Sequence, residues 1–385
     1  MPRTSPIRNL HLEAEAEFTV FPPARSVHGA DAEPTEVVGS FGDCAGEIAA
    51  LCASAGLVDL PHRAVIEATG ADRLAFLDRM LTQRVRDVAP GRWASSFWLN
   101  RKGRIDADLR VLSLPDRTLI ELDAAVIART LETLSAFIIT EDVALRDADA
   151  EFATFALIGP WAADALARVA APAENSNIVA MLDHGHGMIT IAGAEMRIAR
   201  DDALGAPRFT LLAPREEAGA IYAQLMEAGS ALDADAGALF RAVGWRAYDD
   251  MRVRARAPRF LVDFGVESLP HETGVLRSRV SFTKGCYLGQ EIVARMESLG
   301  RPKQVLAALA LEGSPTPDTG ELLYPDEPQV TDAVGVITSV APARDDRPAV
   351  GLAQIRTQRA TPGAPLRTAG GVVAHLSELP DPGDD

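Results

Sequence analysis

Between residues 60 and 230 the apolar positions switch between two spacings, and each switch marks an element. Ala64–Thr69 alternates every second residue, as a half-buried strand does, while Asp72–Gln83 carries Leu74, Leu77, Met80 and Leu81 at helical spacing. Apolar strand candidates follow around Phe97–Leu99 and Leu109–Leu114. The turn Pro115-Asp116 leads into Thr118–Leu122 as a hairpin, and a helix over Ala124–Ile138 closes the unit. The order then recurs: strand Glu151–Ile158, helix Trp161–Val169, strands near Met188–Ile191, Glu195–Ala199 and Arg208–Leu212, then helix Glu216–Ala228. Two sequential β-α-β-β-α units predict a pair of related α+β domains. After Pro302 the apolar runs shorten to Val305–Leu311, Val334–Val340, Val350–Ile355 and Val372–Leu376, split by Gly and Pro. That pattern predicts a small antiparallel barrel or sandwich.

These readings divide the chain into an extension (1–46), a first α+β domain (47–148), a second (149–236), a connector (237–301) and a C-terminal β-barrel (302–380). The extension is interrupted by Pro2, Pro6, Pro22, Pro23 and Pro34, and Glu13, Glu15 and Glu17 make its start acidic. A secretory signal needs a basic start and an apolar core, and a mitochondrial transit peptide is poor in acids, so a cytoplasmic location is expected. The final Asp-Pro-Gly-Asp-Asp reads as a frayed end.

Composition narrows the function classes. With 385 residues and 47% hydrophobic positions the chain can bury large cores. A net charge of −16 disfavours wrapping nucleic acid, and no apolar run reaches the roughly 18 residues of a membrane span. Cys44, Cys52 and Cys286 fall one short of a four-thiolate zinc or cluster site. Residues 241–303 depart from the acidic background with twelve basic and seven acidic side chains, a local +5 that could dock an anion. Solvated helix faces would give the same count. Only Lys102, Lys284 and Lys303 are lysines among 38 basic residues, and Lys284 stands two residues from Cys286.

No Walker-A loop, dinucleotide fingerprint, G-x-S-x-G elbow or H-E-x-x-H is present. The pair in Asp183-His184-Gly185-His186 could ligate a metal but reads better as a turn before a strand, so no metal site is assigned. The segment Ser281–Glu291 stands apart. Ile292, Val293, Met296 and Leu299 recur at helical spacing downstream, and Gly300 is a natural stop. Cys286 is thereby expected just before a helix N-terminus, with Gln290 and Glu291 in its first turn. Free N–H groups and Lys284 would favour the thiolate there. A buried structural thiol in a glycine-rich helix entry remains the alternative.

Lys284-Gly285-Cys286-Tyr287-Leu288-Gly289-Gln290-Glu291, followed by Val293-Ala294-Arg295, resembles the signature of the YgfZ-type folate-binding proteins. That family is a branch of the superfamily containing the glycine-cleavage T-protein, an aminomethyltransferase. Gly56–Leu60 with Ile66 and Gly70-Ala71-Asp72 is similar to its opening strand and first helix. Asn100-Arg101-Lys102-Gly103-Arg104-Ile105 is similar to its glycine turn, and Pro258, Asp263 and Leu269-Pro270-His271-Glu272 to the approach to the signature. The likeness spans about residue 55 to the C-terminus, with the segment before 47 outside it.

The resemblance implies an α+β fold: two related α+β domains plus a small C-terminal barrel, a three-domain cloverleaf around a central cleft. It implies tetrahydrofolate or a derivative as cofactor, held by Arg252, Lys284, Asn100, Gln290 and Glu291, with Cys286 and Asp108 carrying chemistry. Asp106 is a second candidate for the role of Asp108. It further implies a role in iron–sulfur cluster assembly or repair that indirectly supports tRNA modification, with a transient cluster on Cys286. The implied partners are folate and iron–sulfur enzymes or assembly proteins, without direct nucleic-acid or membrane contact. Aminomethyl transfer is the alternative, and a non-catalytic scaffold the second. The family's pterin-anchoring glutamate corresponds to Ala206 in Gly205-Ala206-Pro207-Arg208-Phe209, and Arg256 stands where glycine is usual. Both departures favour the accessory role over transfer.

Overall fold

The computed structural model describes residues 2–23, 28, 32–170, 178, 181, 184–236, 240–327, 332–344 and 347–379; the final pentapeptide, expected to fray, and Asp183 lie outside them. The chain opens with α1 (Arg8–Glu13), β1 (Glu17–Phe21), β2 (Thr35–Ser40), α2 (Cys44–Ala53) and β3 (Gly56–Asp59). Then come β4 (Arg63–Thr69), α3 (Arg73–Met80), β5 (Trp93–Leu99), β6 (Ile105–Ser113), β7 (Thr118–Asp123), α4 (Ile127–Ser135) and β8 (Ala144–Asp147). Strands β5-β6-β7-β4-β8 form a five-stranded sheet. Pro115 and Asp116 turn the β6–β7 hairpin as the sequence predicts.

The second unit has β9 (Phe152–Ile158), α5 (Ala162–Val169), β10 (His186–Ile191), β11 (Ala194–Asp201), β12 (Arg208–Pro214) and α6 (Ala218–Ala236). Its sheet has the order β10-β11-β12-β9-β3-β13, where β13 is Arg241–Val243. Two members come from outside the unit. Strand β3, which the sequence assigns to the first unit, pairs antiparallel with β9, and β13 pairs parallel with β3. Gly56–Asp59 is buried at all four positions, so it reads as strand without disclosing which sheet covers it.

The connector holds α7 (Trp245–Arg254), α8 (Leu276–Arg279) and α9 (Gln290–Leu299). Strands β14 (Gln304–Glu312), β15 (Leu322–Pro325), β16 (Gly335–Ala341), β17 (Ala349–Arg356), β18 (Pro365–Thr368) and β19 (Val373–Ser377) close a six-stranded barrel. Buried Asp263 joins the connector to it, accepting from Thr338 Oγ1 (2.7 Å), Ser339 Oγ (2.6 Å) and Arg252 Nη1 (2.6 Å). The fold class stands as expected: mixed α and β units with a closed barrel at the C-terminal end.

The segment before residue 47 is not a loose extension. Ile7, Phe21, Val37 and Val38 are buried, and at about 1.5–3 kcal/mol for each large side chain this is core. Phe21 packs against His62 and Trp245 with ring centroids 4.2 and 5.0 Å apart. Buried Glu47 then accepts from Ser40 Oγ (2.8 Å), Phe41 N (2.7 Å) and Gly244 N (2.8 Å), knitting β2, α2 and the start of α7. The prolines punctuate short elements rather than a linker. Among the described residues no helix is long and apolar enough to cross a membrane, and no His/Cys/Asp/Glu group could hold a metal.

Candidate functional site

The glycine turn before β6 and the signature loop are built against each other. Asn100 Oδ1 accepts from the N–H groups of Lys102 (2.9 Å) and Arg104 (3.2 Å), folding the turn, and Gly103 adopts φ 68°. A Cβ on Gly103 would lie 2.7 Å from Ile292 Cβ. Gly289, at φ 80°, precedes α9, and a Cβ there would lie 2.9 Å from Asn100 O. Only glycine permits this approach on both sides. Helix α9 begins at Gln290, whose Oε1 accepts from Tyr287 N (3.3 Å). Glu291 is exposed in the first turn, and Cys286 is exposed before it. The buried-thiol alternative therefore falls.

Two residues expected to bind cofactor are spent within the protein. Lys284 is buried, and its Nζ donates to Leu81 O (2.8 Å), Gln83 O (3.0 Å) and Asp78 O, with Asp78 Oδ1 3.5 Å away. An ammonium has three donors, and here three carbonyls at the end of α3 take them. Burial, opposed by Asp78, lowers its pKa. Arg252 is 1% exposed and donates to Asp249 Oδ1 (2.7 Å), Asp263 Oδ2 (2.6 Å) and Ser339 Oγ (2.7 Å). It fastens α7 to the barrel instead of reaching a ligand. Asn100 shapes its own turn, and Gln290 caps its own loop.

The expected anion dock is likewise largely consumed. Arg241, Arg246, Arg254, Arg277 and Arg279 pair with Asp43, Glu17, Asp250, Glu297 and Asp108, respectively. Counting charges along the chain could not separate paired from available cations.

Asp108 sits on β6 just past the glycine turn. The β5–β6 register shifts between Trp98 and Leu99, so Ala107 opposes Trp98 while Ile105 opposes Leu99. Asp106, left between them, is buried and accepts from Arg129 Nη2 (3.0 Å) and Asn100 Nδ2 (3.3 Å). Desolvation raises its pKa against the pull of Arg129 and Asn100. The Asp108 side chain is 18% exposed and accepts from Arg279 Nε (3.0 Å). Between these candidates, Asp108 is the one reachable from outside.

Two residues further along the same strand face lies Arg110, the entry to a buried ionic centre that charge counting missed. Arg110 donates to Glu121 Oε2 (2.9 Å) and Asp201 Oδ2 (3.3 Å), joining the two sheets. Arg208 donates to the same Asp201 oxygen (3.0 Å) and to Tyr248 OH (3.1 Å). Arg63 and Arg259 share Asp123, at 3.0 and 2.8 Å. Burial opposes the charge on Arg208, yet Asp201, Tyr248 and Glu121 together raise its pKa; Arg110, Arg63 and Arg208 together likewise overcome burial to lower that of Glu121. The available signal was Arg110 itself, a buried cation on the strand that also carries Asp106 and Asp108.

Asp201 Oδ1 and Arg259 Nε are buried and have no hydrogen-bond partner among the described residues. A buried polar atom without a partner costs about 1–3 kcal/mol. A ligand with N–H donors at one end and carboxylates at the other complements both, and folate has that pattern. The fit is one of charge and hydrogen-bond complement. The two histidines read as a turn before a strand make other contacts: His184 stacks on Trp93 at 4.2 Å, while His186 bonds Ser113 O and Arg197 Nη1, both at 2.9 Å.

The GCVT N-terminal domain matches residues 28–284 of the chain, so the likeness reaches further toward the N-terminus than the motifs alone indicate. The chain is 25% identical over 311 residues to an aminomethyltransferase of Halalkalibacterium halodurans, covering 80% of each sequence. It is 26% identical over 311 residues to that of Bacillus pumilus, covering 80% of this chain and 81% of the relative. The crystal structure of glycine cleavage system aminomethyltransferase T from Bartonella henselae superposes with a TM-score of 0.82 at 19% identity, over 98% of this chain and 97% of the other.

Proposed function

The chain belongs to the family of the GCVT N-terminal domain, and on that premise we propose that it binds tetrahydrofolate at the arginine-rich centre and acts on one-carbon units there. When bound, tetrahydrofolate supplies the nitrogens that take up or carry the one-carbon unit. Asp201 Oδ1 offers an acceptor to pterin N–H groups in place of the acid missing at Ala206. Arg259 Nε offers a donor to a carboxylate. Asp108 orients the reacting amine by accepting its N–H, and Arg279 holds that carboxylate in place. The observation that carries this reading is the partly open Asp108 beside a turn locked to the signature loop.

Aminomethyl transfer is the use that the relatives' names support. It is tested by mixing the protein with an aminomethylated lipoyl carrier protein and tetrahydrofolate and measuring methylene-tetrahydrofolate. Asp108→Asn should slow the reaction about 10²–10⁴-fold, the range for a positioned acid–base group. Product at the background level with the wild-type protein rejects transfer.

A second reading follows from exposed Cys286: a folate-binding accessory factor for iron–sulfur proteins, with the cysteine as a redox-active or transient cluster-handling thiol. One thiolate is one ligand of four, so a partner or small thiol would complete any cluster. This reading predicts heat on titrating tetrahydrofolate without turnover, and loss of iron–sulfur enzyme activity in cells carrying Cys286→Ser. Full activity in those cells rejects the thiol role, and no heat at all leaves a scaffold.

A further inference from the structure

A cleft of about 300 Å³ opens between the connector and the barrel, lined by His271, Val305, Leu306, Leu376, Glu378 and Leu379 among others. Its volume is at the lower end for small-molecule sites, about 300–1,000 Å³. The barrel makes room for it by ending one strand early. Strand β14 pairs with β17 from Gln304 onward but with β19 only from Ala308, opposite Ser377. Val305–Ala307 therefore has no strand partner on the cleft side among the described residues.

His271 supplies the chemistry. Its side chain is 8% exposed, and Nε2 lies 3.3 Å from Glu297 Oε2 on α9. The negative charge beside Nε2 favours the proton on that nitrogen, which leaves Nδ1 of the neutral ring as the lone-pair acceptor. Both ring nitrogens are buried without a hydrogen bond of good geometry among the described residues, and Nδ1, unlike Nε2, has no carboxylate beside it there. Burial, opposed by Glu297, lowers the pKa of the ring and keeps it neutral near pH 7. An acceptor at the wall, the carboxylate of Glu378 and apolar Val305, Leu306, Leu376 and Leu379 describe one kind of occupant.

We propose that this cleft binds a small amphipathic amine, with its apolar body on the barrel edge and its N–H donor on His271 Nδ1. The site is separate from the arginine-rich centre and stands whether or not that centre binds folate. Glu297 lies on α9, the helix that follows the signature, and also accepts from Arg277 Nη2 (2.7 Å) on α8, so one carboxylate joins the occupant's histidine to both helices.

Isothermal titration of the full-length protein with benzylamine, benzyl alcohol and benzoate tests the proposal. Benzylamine should bind at least about tenfold tighter than benzoate, a factor that one charge-assisted hydrogen bond supplies. His271→Phe should remove that preference, and Ala360→Trp, which fills the cleft wall, should abolish binding while leaving tetrahydrofolate titration unchanged. Ala360 is partly buried on a turn, so this variant decides the matter even if His271→Phe fails to fold. Absence of benzylamine binding, equal binding of benzoate, or binding that survives Ala360→Trp overturns the proposal.

Discussion

In the centre of the molecule Arg63, Arg110, Arg208 and Arg259 are each held by a carboxylate, and the paired groups come from two sheets and the connector. In the signature loop Cys286 and Glu291 stand in solvent, and precision comes from the backbone beneath them: two left-handed glycines in contact and a lysine buried in carbonyls. Buried charges are tolerable only when paired, so at the centre the proposed binding chemistry and stability reside in the same atoms. The loop separates them. Its fixed geometry is supplied by Gly103, Gly289 and Lys284, which leaves its exposed side chains free of structural duty.

The strongest way to break that comparison is Asp201→Ala. It strips Arg110 and Arg208 of a shared acceptor, and leaving a buried charge unpaired costs about 3–5 kcal/mol. Urea unfolding should show a lowered midpoint, and tetrahydrofolate binding should weaken with it. An unchanged midpoint would mean that the centre is solvated and not integral to the fold.

Lys284→Met is the counterpart in the loop. Removing the ammonium leaves carbonyls of Leu81 and Gln83 without a donor, at about 1–3 kcal/mol. The stability loss should come with an unchanged heat of tetrahydrofolate binding. Lost affinity at full stability would return Lys284 to the ligand-binding role that its neighbourhood suggests.

That pair of residues also measures what the sequence could disclose. The rarity of lysine singled out Lys284 correctly, but a sequence does not state where a side chain points. Both α+β units were legible because Ala64–Thr69 and Asp72–Gln83 follow spacings set by the backbone alone. The sheet membership of β3 was not, since a four-residue, fully buried strand carries no mark of its neighbour. β15 and β18, with four residues each, are too short for periodicity to register. The N-terminal segment reads as an extension because its prolines interrupt helices and strands that its apolar residues still bury. At the candidate site, the glycines and Asp108 were readable from motif order. Asp201 and Arg259 were not, because their meaning depends on contacts spanning 91 and 136 positions.

Acid sharpens the comparison further. His186 sits on the seam between the sheets, donating from Nε2 to Ser113 O and accepting at Nδ1 from Arg197. Burial, then the Arg197 charge, lowers its pKa to about 4. A histidine depressed in the folded state contributes stability that is complete above its unfolded value near 6.5 and is lost as pH falls toward 4. Unfolding midpoints should decline across that interval, and His186→Gln should flatten the decline. An equally steep slope in the variant would place the acid sensitivity elsewhere, with buried His62, whose pKa burial also lowers, as the next residue to replace.

The smallest expected effect is the most discriminating. Cys286→Ser changes one exposed atom in a loop whose shape depends on Gly103, Gly289 and Lys284, so its stability should stay within about 0.5 kcal/mol of wild type. Unfolding midpoint and tetrahydrofolate affinity should both match wild type, while any thiol-dependent activity in cells disappears. If the midpoint falls by more than that margin, the sulfur has a packing role, and the division between a structural backbone and a free side chain fails at the residue chosen to illustrate it. If both values hold and cellular activity also survives, the division stands but the loop presents something other than its thiol, and exposed Glu291 in the first turn of α9 becomes the side chain to change.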